Sequence, residues 1–414
     1  MNTPENKENL FIPLAKAREI LYQAAGVTAP EEIALASCLG RITAAEILAP
    51  LPMPNFRKSP FDGYCLSSAD TAGASPHDPA IIPVAGVIKA GDPISHLQPA
   101  AYKIMTGAEV PAFCDCVAKK EVTDKGQESV RIYEAHQPGQ NIVSMGEDVR
   151  AGDGVISPGK KLTPGAMAML SSLGISTVSV RRKPRVALMT TGNEIIEPGV
   201  PLSPGKVYNS NRYALMAYLQ EAGAEGKYLG NASDDLSDTV SLLSEAMGCH
   251  DLIITTGGVS VGDYDFIAAA YEALGIERLF WGVQMKPGTP VMAGIKGNTV
   301  VLSLPGSPAA SLIAYEALGS PLLRKIRGSM PFEKPWLWGR MGEDFHKVID
   351  MPRFLRVRAE REKEGYVLYL SGKQNASVLH SMVGYNALAL ADSLYKPVKK
   401  GDLVRFSFSG EDCL

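Results

Sequence analysis

The sequence predicts an α/β domain accompanied by smaller β domains, and three stretches carry that expectation. Leu252–Ile254 is a short apolar run of the kind buried on both faces of a sheet, and it ends in Thr255-Thr256-Gly257-Gly258. Val186-Ala187-Leu188-Met189 runs into Thr190-Thr191-Gly192-Asn193-Glu194, and Val300–Leu304 runs into Pro305-Gly306-Ser307-Pro308. Buried strands that each end in a glycine loop suggest one parallel sheet with crossover helices. Their loops then share the carboxyl edge, where open α/β sheets bind ligands.

With 414 residues the chain is long enough for two to four domains. Hydrophobic residues make up 45% and charged residues 21%, a globular composition, not a disordered one. The net charge of −3 gives no global basic field to recruit nucleic acid or an anionic membrane. The six cysteines show no paired zinc spacing. No basic-then-apolar leader opens the chain, and no apolar run approaches the ~20 residues of a membrane span. The expectation is a soluble, reduced, cytoplasmic protein.

In chain order, Leu14–Ala25 reads as a helix stopped by Gly26, with Leu14, Ile20 and Leu21 on its apolar face. Pro30-Glu31-Glu32 reads as the start of a second helix with acidic residues in its first turn. Pro50, Pro52 and Pro54 mark a domain crossing. From Asn55 to Asn141 short β-like runs (Ile81–Val84, Val87-Ile88, Val117–Lys119, Val130–Tyr133) alternate with Gly, Pro and Asp, the texture of a small β domain. Within it, Asp62-Gly63 could be a hairpin turn or part of a site.

Gly154 to Lys161 nearly spells a phosphate-binding loop, but Lys161 stands where the metal-binding hydroxyl belongs, so a turn is expected. Thr163-Pro164 opens a helix running to Leu170 and ended by Gly174. Arg181-Arg182-Lys183-Pro184 reads as a solvated linker into the α/β domain. In that domain Asp265 opens the helical stretch Phe266–Leu274, closed by Gly275, and Ala309–Leu318 forms another. Beyond Pro331, Arg353–Val357, Tyr366–Leu370, Ala387–Ala391 and Leu403–Phe408 read as strands of a small barrel or sandwich.

No Ser/His/Asp or Cys/His set emerges. Asp62, Asp148, Glu194, Asp234 and Asp265 are instead carboxylates in or beside glycine-rich loops. Asp234 also precedes a helical pattern, where it would serve as a cap. Carboxylates with neighbouring hydroxyls suit Mg²⁺, a hard ion that takes oxygen ligands and shares them with phosphates. Glycine loops, and Lys286 before a Pro-Gly turn, suit phosphate. The residues alone describe a metal-assisted site for a phosphorylated or nucleotide-linked small molecule.

Several motifs together resemble one family. They are Thr-Thr-Gly-Gly-Val-Ser-Val-Gly-x-x-Asp at 255–265, Asp-Gly-Tyr at 62–64, Met-Thr-Gly-Ala-x-Val-Pro at 105–111 and Gly-Glu-Asp at 146–148. Thr-Thr-Gly-x-Glu at 190–194, Asn211-Arg212, Lys-Pro-Gly-x-Pro at 286–290 and Leu-Pro-Gly-x-Pro at 304–308 extend the match over nearly the whole chain. The set resembles the molybdopterin molybdenumtransferase family, which includes bacterial MoeA and the gephyrin E domain.

The resemblance implies insertion of molybdate into adenylylated molybdopterin with release of AMP, as a step of molybdenum cofactor biosynthesis. It implies a four-domain subunit: a mixed helical and linker domain at 1–54 plus 142–182, a small β domain at 55–141, a MogA-like α/β domain at 183–327, and a C-terminal β domain at 328–414. It places functional roles on Asp62, Thr106, Asp148, Glu194, Asp265 and Lys286, with Glu194, Asp234 and Asp265 as Mg²⁺ ligands. The pterin-binding positions it implies are Thr191 and Gly192, Asn211 and Arg212, Gly257, Gly258 and Ser260, and Pro305, Gly306 and Ser307. It further implies an elongated homodimer in which one subunit's β domain faces the other's α/β domain. Transient contact with a molybdopterin adenylyltransferase and with cofactor-accepting enzymes would follow.

The chain also departs from the family pattern. Lys58-Ser59-Pro60-Phe61 precedes Asp62 in place of Asn-Ser-Ala-Met, Asn193 stands for an Asp, and Ser307 for an Asn. Gly282 and Thr289 occupy positions that are lysine in some bacterial members, and the expected C-terminal arginine is Arg353 or Arg356. A carrier or scaffold that binds the pterin without releasing AMP, or a tungstate-preferring paralogue, is the alternative within the fold. A dinucleotide-dependent oxidoreductase would need a Gly-x-Gly-x-x-Gly after a strand, which the chain lacks.

Overall fold

The computed structural model describes residues 11–259, 266–348, 350–392 and 395–410. Ser260 and Asp265 therefore lie outside the described residues.

Helix α1 (Leu14–Ala24) buries Ala17 and Leu21, with Leu14 and Ile20 packed beside them. It follows Ile12–Pro13, which pairs in parallel with Val283–Gln284. Although α1 lies near the amino terminus, its apolar face joins the core of the α/β unit. Pro30–Ala34 is a strand, not the expected helix, and pairs antiparallel with Thr177–Arg181. The β-branched partner supplies a complete ladder, which outweighs the local first-turn preference of Glu31 and Glu32. Gly154–Ile156 pairs with Ile47–Leu48, and Gly159 turns with φ +76°. Helix α2 (Pro164–Ser172) follows, capped by Thr163 Oγ1, which accepts from Ala166 N. The segment from Gly154 to Lys161 is thus strand and turn, as its sequence suggests.

The small β domain is a five-stranded sheet in the order Cys116–Lys119, Gly63–Leu66, Ala101–Ile104, Ala80–Ile88, Ser129–Ile132. Gly63 begins a strand and is no hairpin turn. A Cβ there would sit 2.0 Å from the Ala118 carbonyl oxygen, so glycine permits the close strand approach.

The α/β unit holds a six-stranded sheet in the order Glu225–Ala232, Arg185–Thr191, Leu252–Thr256, Thr299–Leu304, Met292–Lys296, Glu277–Trp281. The first four are parallel and the last two antiparallel, so the expected parallel sheet carries an antiparallel edge. Alternate residues of each strand face opposite sides. Val186, Leu188, Leu252 and Ile254 pack toward Leu215 and Leu219 of α3 (Ser210–Glu221). Ala187, Met189 and Ile253 pack toward Leu243 of α4 (Leu236–Ala246) and Ile267 of α5 (Ile267–Leu274). Gly275 ends α5 in the left-handed conformation, φ +62°, as the sequence predicts. Helix α6 (Pro308–Ala314) continues through one π-helical stretch, Tyr315–Gly319, into α7 (Ser320–Ile326).

The C-terminal strands close a five-stranded barrel in the order Leu337–Met341, Gly365–Leu370, Arg353–Glu362, Ala387–Ala391, Leu403–Phe408. The barrel is fastened to the α/β unit through a buried polar cluster. Glu316 accepts from Tyr385 Oη at 3.2 Å and from Ser409 Oγ, and Lys334 Nζ stands 3.6 Å from its other oxygen. Among the described residues no helix is long and apolar enough to cross a membrane.

Candidate functional site

At the carboxyl edge of the parallel strands lies a cavity of about 930 Å³. Its walls bring together the three loops that the sequence singles out, through Thr191, Gly192, Glu194, Gly257, Gly258, Pro305, Gly306 and Ser307. Asn211 and Asp234 also line it. The loops meet because each follows one of three adjacent parallel strands, which end side by side.

The glycines set how closely the loops approach. Gly257 has φ +93°, and a Cβ on it would lie 2.5 Å from Thr191 Oγ1 and 2.9 Å from Thr191 O. Gly306 packs against it, since a Cβ there would stand 3.4 Å from Gly257 Cα. Asn211, in the first turn of α3, ties them from below: its Nδ2 donates to Gly306 O at 2.9 Å and to Thr256 Oγ1 at 3.2 Å. Among the described residues, the Asn211 Oδ1 and Thr255 Oγ1 atoms are buried with no hydrogen-bond partner.

Asp234 does not cap α4, because Asp235 takes that role and accepts from the amides of Ser237 and Asp238. Asp234 instead accepts from Asn193 N at 3.2 Å, and its own amide donates to Asn193 Oδ1 at 3.2 Å. Asn193 in place of an aspartate thus satisfies the Asp234 amide without adding a charge. Glu194 and Asp234 are carboxylates of the cavity wall, and among its described lining residues there is no lysine or arginine. The amino-terminal ends of α3 and of the helix beginning at Pro308 face the same space, through Ser210 and Ser307-Pro308. On the described walls, positive potential comes from helix ends and backbone N–H groups, not side chains. Among the described residues no cluster of three His, Cys, Asp or Glu side chains is placed to hold a metal ion.

Other expected residues sit elsewhere. Arg212 is not among the lining residues: Nη1 donates to Glu197 Oε2 at 2.7 Å and the guanidinium lies 4.2 Å above the Tyr228 ring. Lys286 pairs with Asp350, whose carboxyl the ammonium holds below its ordinary range. The backbone of Lys286 bonds to Pro352 and Phe354, which joins this turn to the barrel. Of the two candidate arginines, Arg353 lies within that junction, bridged to Lys286, whereas Arg356 is fully buried. Arg356 Nη2 donates to the carbonyls of Lys373 at 2.9 Å and Asn375 at 3.3 Å, and burial pushes its pKa down to about 10. It thereby steadies the segment that delivers Ser377 and Leu379 to the cavity rim.

Asp62, Thr106 and Asp148 lie in or beside the small β domain and do not line this cavity. Asp62 Oδ1 accepts from Thr106 N at 2.9 Å and Thr106 Oγ1 at 2.8 Å, and Lys120 Nζ donates to Oδ2 at 3.2 Å. These bonds, the Thr106 amide first, hold the Asp62 carboxyl down to about 2. The Asp148 side chain is exposed in the turn after Gly146.

Two departures have local reasons. Gly282, φ +90°, lies under Phe11, whose ring would be 2.1 Å from a Cβ, so any longer side chain there strains the backbone and must displace that ring. Thr289 turns inward and donates to Met285 O at 2.7 Å. Sequence reasoning did not anticipate Asn209, Ser377 or Leu379. Asn209 carries the cap signal for α3, accepting from Arg212 N at 3.1 Å. The two barrel residues carry none, because their contact arises from how the barrel docks.

Comparison with known proteins agrees with the architecture. Residues 12–174 match the MoeA N-terminal region (domain I and II), 187–325 a probable molybdopterin binding domain, and 339–408 the MoeA C-terminal region (domain IV). A molybdopterin molybdenumtransferase of Bacillus subtilis is 34% identical over 392 residues, 93% of this chain and 91% of that protein. One from Staphylococcus aureus is 30% identical over 403 residues, 97% of this chain and 96% of that protein. The crystal structure of a molybdopterin biosynthesis MoeA protein from Pyrococcus horikoshii superposes with a TM-score of 0.82 at 30% identity, covering 96% of this chain and 99% of that one. With cavity, loops and all three regions in the family's order, this chain belongs to the molybdopterin molybdenumtransferase (MoeA) family.

Proposed function

We propose that the protein acts in molybdenum cofactor biosynthesis as a transferase that inserts molybdate into adenylylated molybdopterin and releases AMP. The observation that carries this reading is the cavity itself. Three glycine loops and two helix amino termini face it, Glu194 and Asp234 stand on its wall, and no lysine or arginine lines it among the described residues. A pyrophosphate-bearing pterin fits such a space through backbone N–H groups, which approach closely because Gly257 and Gly306 have no side chains.

The donor set suits a hard divalent cation. Glu194 and Asp234 offer carboxylate oxygens, and Asp265, outside the described residues, is the third expected ligand. Bound Mg²⁺ would supply Lewis-acid stabilisation and counter-charge for the phosphates. Asn193 holds Asp234 in place, and Asn211 fixes the separation of the second and third loops. Asp62, fully ionised at neutral pH and positioned by Thr106 and Lys120, would complete the site from a second subunit. The support for that homodimer is that Asp62 and Thr106 do not line the cavity of their own chain.

The test is release of AMP from adenylylated molybdopterin on addition of molybdate or tungstate. Molybdate-dependent AMP supports the transferase reading. Pterin binding without AMP under either oxyanion would leave the carrier reading in its place. The shared site is tested by mixing Asp62→Asn and Asp234→Asn proteins: hybrid dimers should regain activity, and inactive hybrids shown to form would count against it.

A further inference from the structure

Arg212 belongs to a ligand-binding motif by sequence yet stands off the cavity wall, and its partner Glu197 gives it a different task. Glu197 is the meeting point of three donors from the start of α3. Its Oε1 accepts from Asn209 Nδ2 at 3.0 Å, and its Oε2 accepts from Arg212 Nη1 at 2.7 Å and from Tyr213 Oη at 3.1 Å. The Arg212 guanidinium also lies 4.2 Å from the Tyr228 ring and 5.2 Å from the Tyr213 ring, so ring faces hold it as well as charge. The Arg212 and Glu197 side chains are 33% and 36% exposed. An ion pair at that exposure adds little to global stability, so its effect is local.

What it holds is the loop that carries Glu194. Ile195–Ile196 pairs in parallel with Val207–Tyr208, Val207 N donates to Glu194 O at 2.9 Å, and Asn209 N donates to Ile196 O at 2.9 Å. The Glu194 carboxylate folds back over Gly192, where a Cβ would stand 2.5 and 2.7 Å from its two oxygens. Among the described residues no hydrogen bond is made to that carboxylate. Its direction is therefore set by the backbone around it. Asn231 Nδ2 holds the near end through Gly192 O at 2.9 Å, and Lys206 Nζ holds Asn193 O at 2.7 Å. Glu197 fastens the far end to α3.

We propose that Glu197 is a positioning residue for the Glu194 carboxylate, and that Arg212 acts through Glu197 and not on the ligand. The inference rests on the reading of Glu194 as a carboxylate of a divalent-ion site. A partner that orients a metal-binding group from behind governs affinity for the ion without touching it.

The first readout needs no metal. In hydrogen–deuterium exchange of the full chain, Glu197→Ala should speed exchange across residues 192–208 and leave the buried strand at 252–256 as in wild type. The second is Mn²⁺ affinity, read from the electron paramagnetic resonance of the free ion. Glu197→Ala and Arg212→Ala should each weaken it by roughly tenfold, and the double variant by no more than either alone. Glu197→Gln, which keeps the shape but not the charge, should fall between wild type and Glu197→Ala. In AMP release the variants should need more Mg²⁺ for half-maximal rate at an unchanged KM for the pterin. Excess Mg²⁺ should then restore turnover, which a merely destabilised fold would not allow. The proposal is overturned if exchange at 192–208 is unchanged in Glu197→Ala, or if the two substitutions weaken Mn²⁺ binding additively. It is also overturned if Arg212→Ala weakens pterin binding and leaves Mn²⁺ affinity as it was. Wild type binding no Mn²⁺ would overturn the metal reading of the cavity, and the exchange result alone then supports or overturns the proposal.

Discussion

Asn193 and Asp234 exchange two hydrogen bonds, each 3.2 Å, so that the loop after one strand is fastened to the loop after its neighbour. An aspartate at 193 could still accept from the Asp234 amide but would place a second carboxylate beside the first. Asn193→Asp should therefore weaken the metal-free fold slightly and tighten binding of divalent cations. Thermal melts with and without Mg²⁺ check this: the stabilisation by Mg²⁺ should be larger in the variant than in wild type.

Gly257→Ala should be among the most damaging single changes at the cavity. Its Cβ would lie 2.5 Å from Thr191 Oγ1, in a backbone region that alanine rarely adopts. A loss of about 1–3 kcal/mol is expected, with weakened pterin binding. Urea denaturation measures the first and equilibrium titration the second. Wild-type stability in the variant would mean that the loops do not approach as closely as described.

The Asp62 carboxyl, held down to about 2, offers a pH prediction. Its folded pKa is depressed below the ordinary aspartate value of about 3.9. The stability it contributes is thus fully present above about 4 and lost as pH falls toward 2. Thr106→Val removes the hydroxyl donor and keeps the amide, so the midpoint should rise part of the way. A carbon-detected NMR titration of Asp62 in both proteins reads this directly; identical midpoints would show that the hydroxyl bond is not formed.

Glu316 joins the α/β unit to the barrel, and its side chain is only 6% exposed. Lys334→Met removes the nearby cation and leaves the carboxylate with the hydroxyls of Tyr218, Tyr385 and Ser409. A loss of about 3 kcal/mol is expected from an uncompensated buried charge. Glu316→Gln with Lys334→Met should recover part of it, and a double-mutant cycle by denaturation would measure the coupling.

Much of this site is legible in the sequence because its parts are local. Thr255–Gly258, Thr190–Glu194 and Leu304–Pro308 each carry strand, glycine and helix signals within a few residues, and buried strands of one sheet align their ends. Four of the five barrel strands are equally readable from their β-rich runs, whereas Leu337–Met341 is not. Pro30–Ala34 was not, because its state depends on Thr177–Arg181, far along the chain. Arg212 looked like a ligand contact by motif, yet Glu197 and Tyr228 engage it, and neither partner is signalled by spacing. Ser377 reaches the cavity through barrel docking, a property of packed surfaces that no local pattern encodes.

In the proposed reaction, the carboxylates of this cavity recruit a divalent ion to hold charge that no side-chain cation on its described walls can hold. The most direct measurement is AMP release from adenylylated molybdopterin with molybdate, by wild type and Asp234→Asn, each in Mg²⁺ and in excess chelator. Wild type should release AMP only with Mg²⁺, and Asp234→Asn should lose turnover far more than pterin affinity, because the ion's help grows as charge develops. Wild-type turnover indifferent to chelator would rule out a role for the ion.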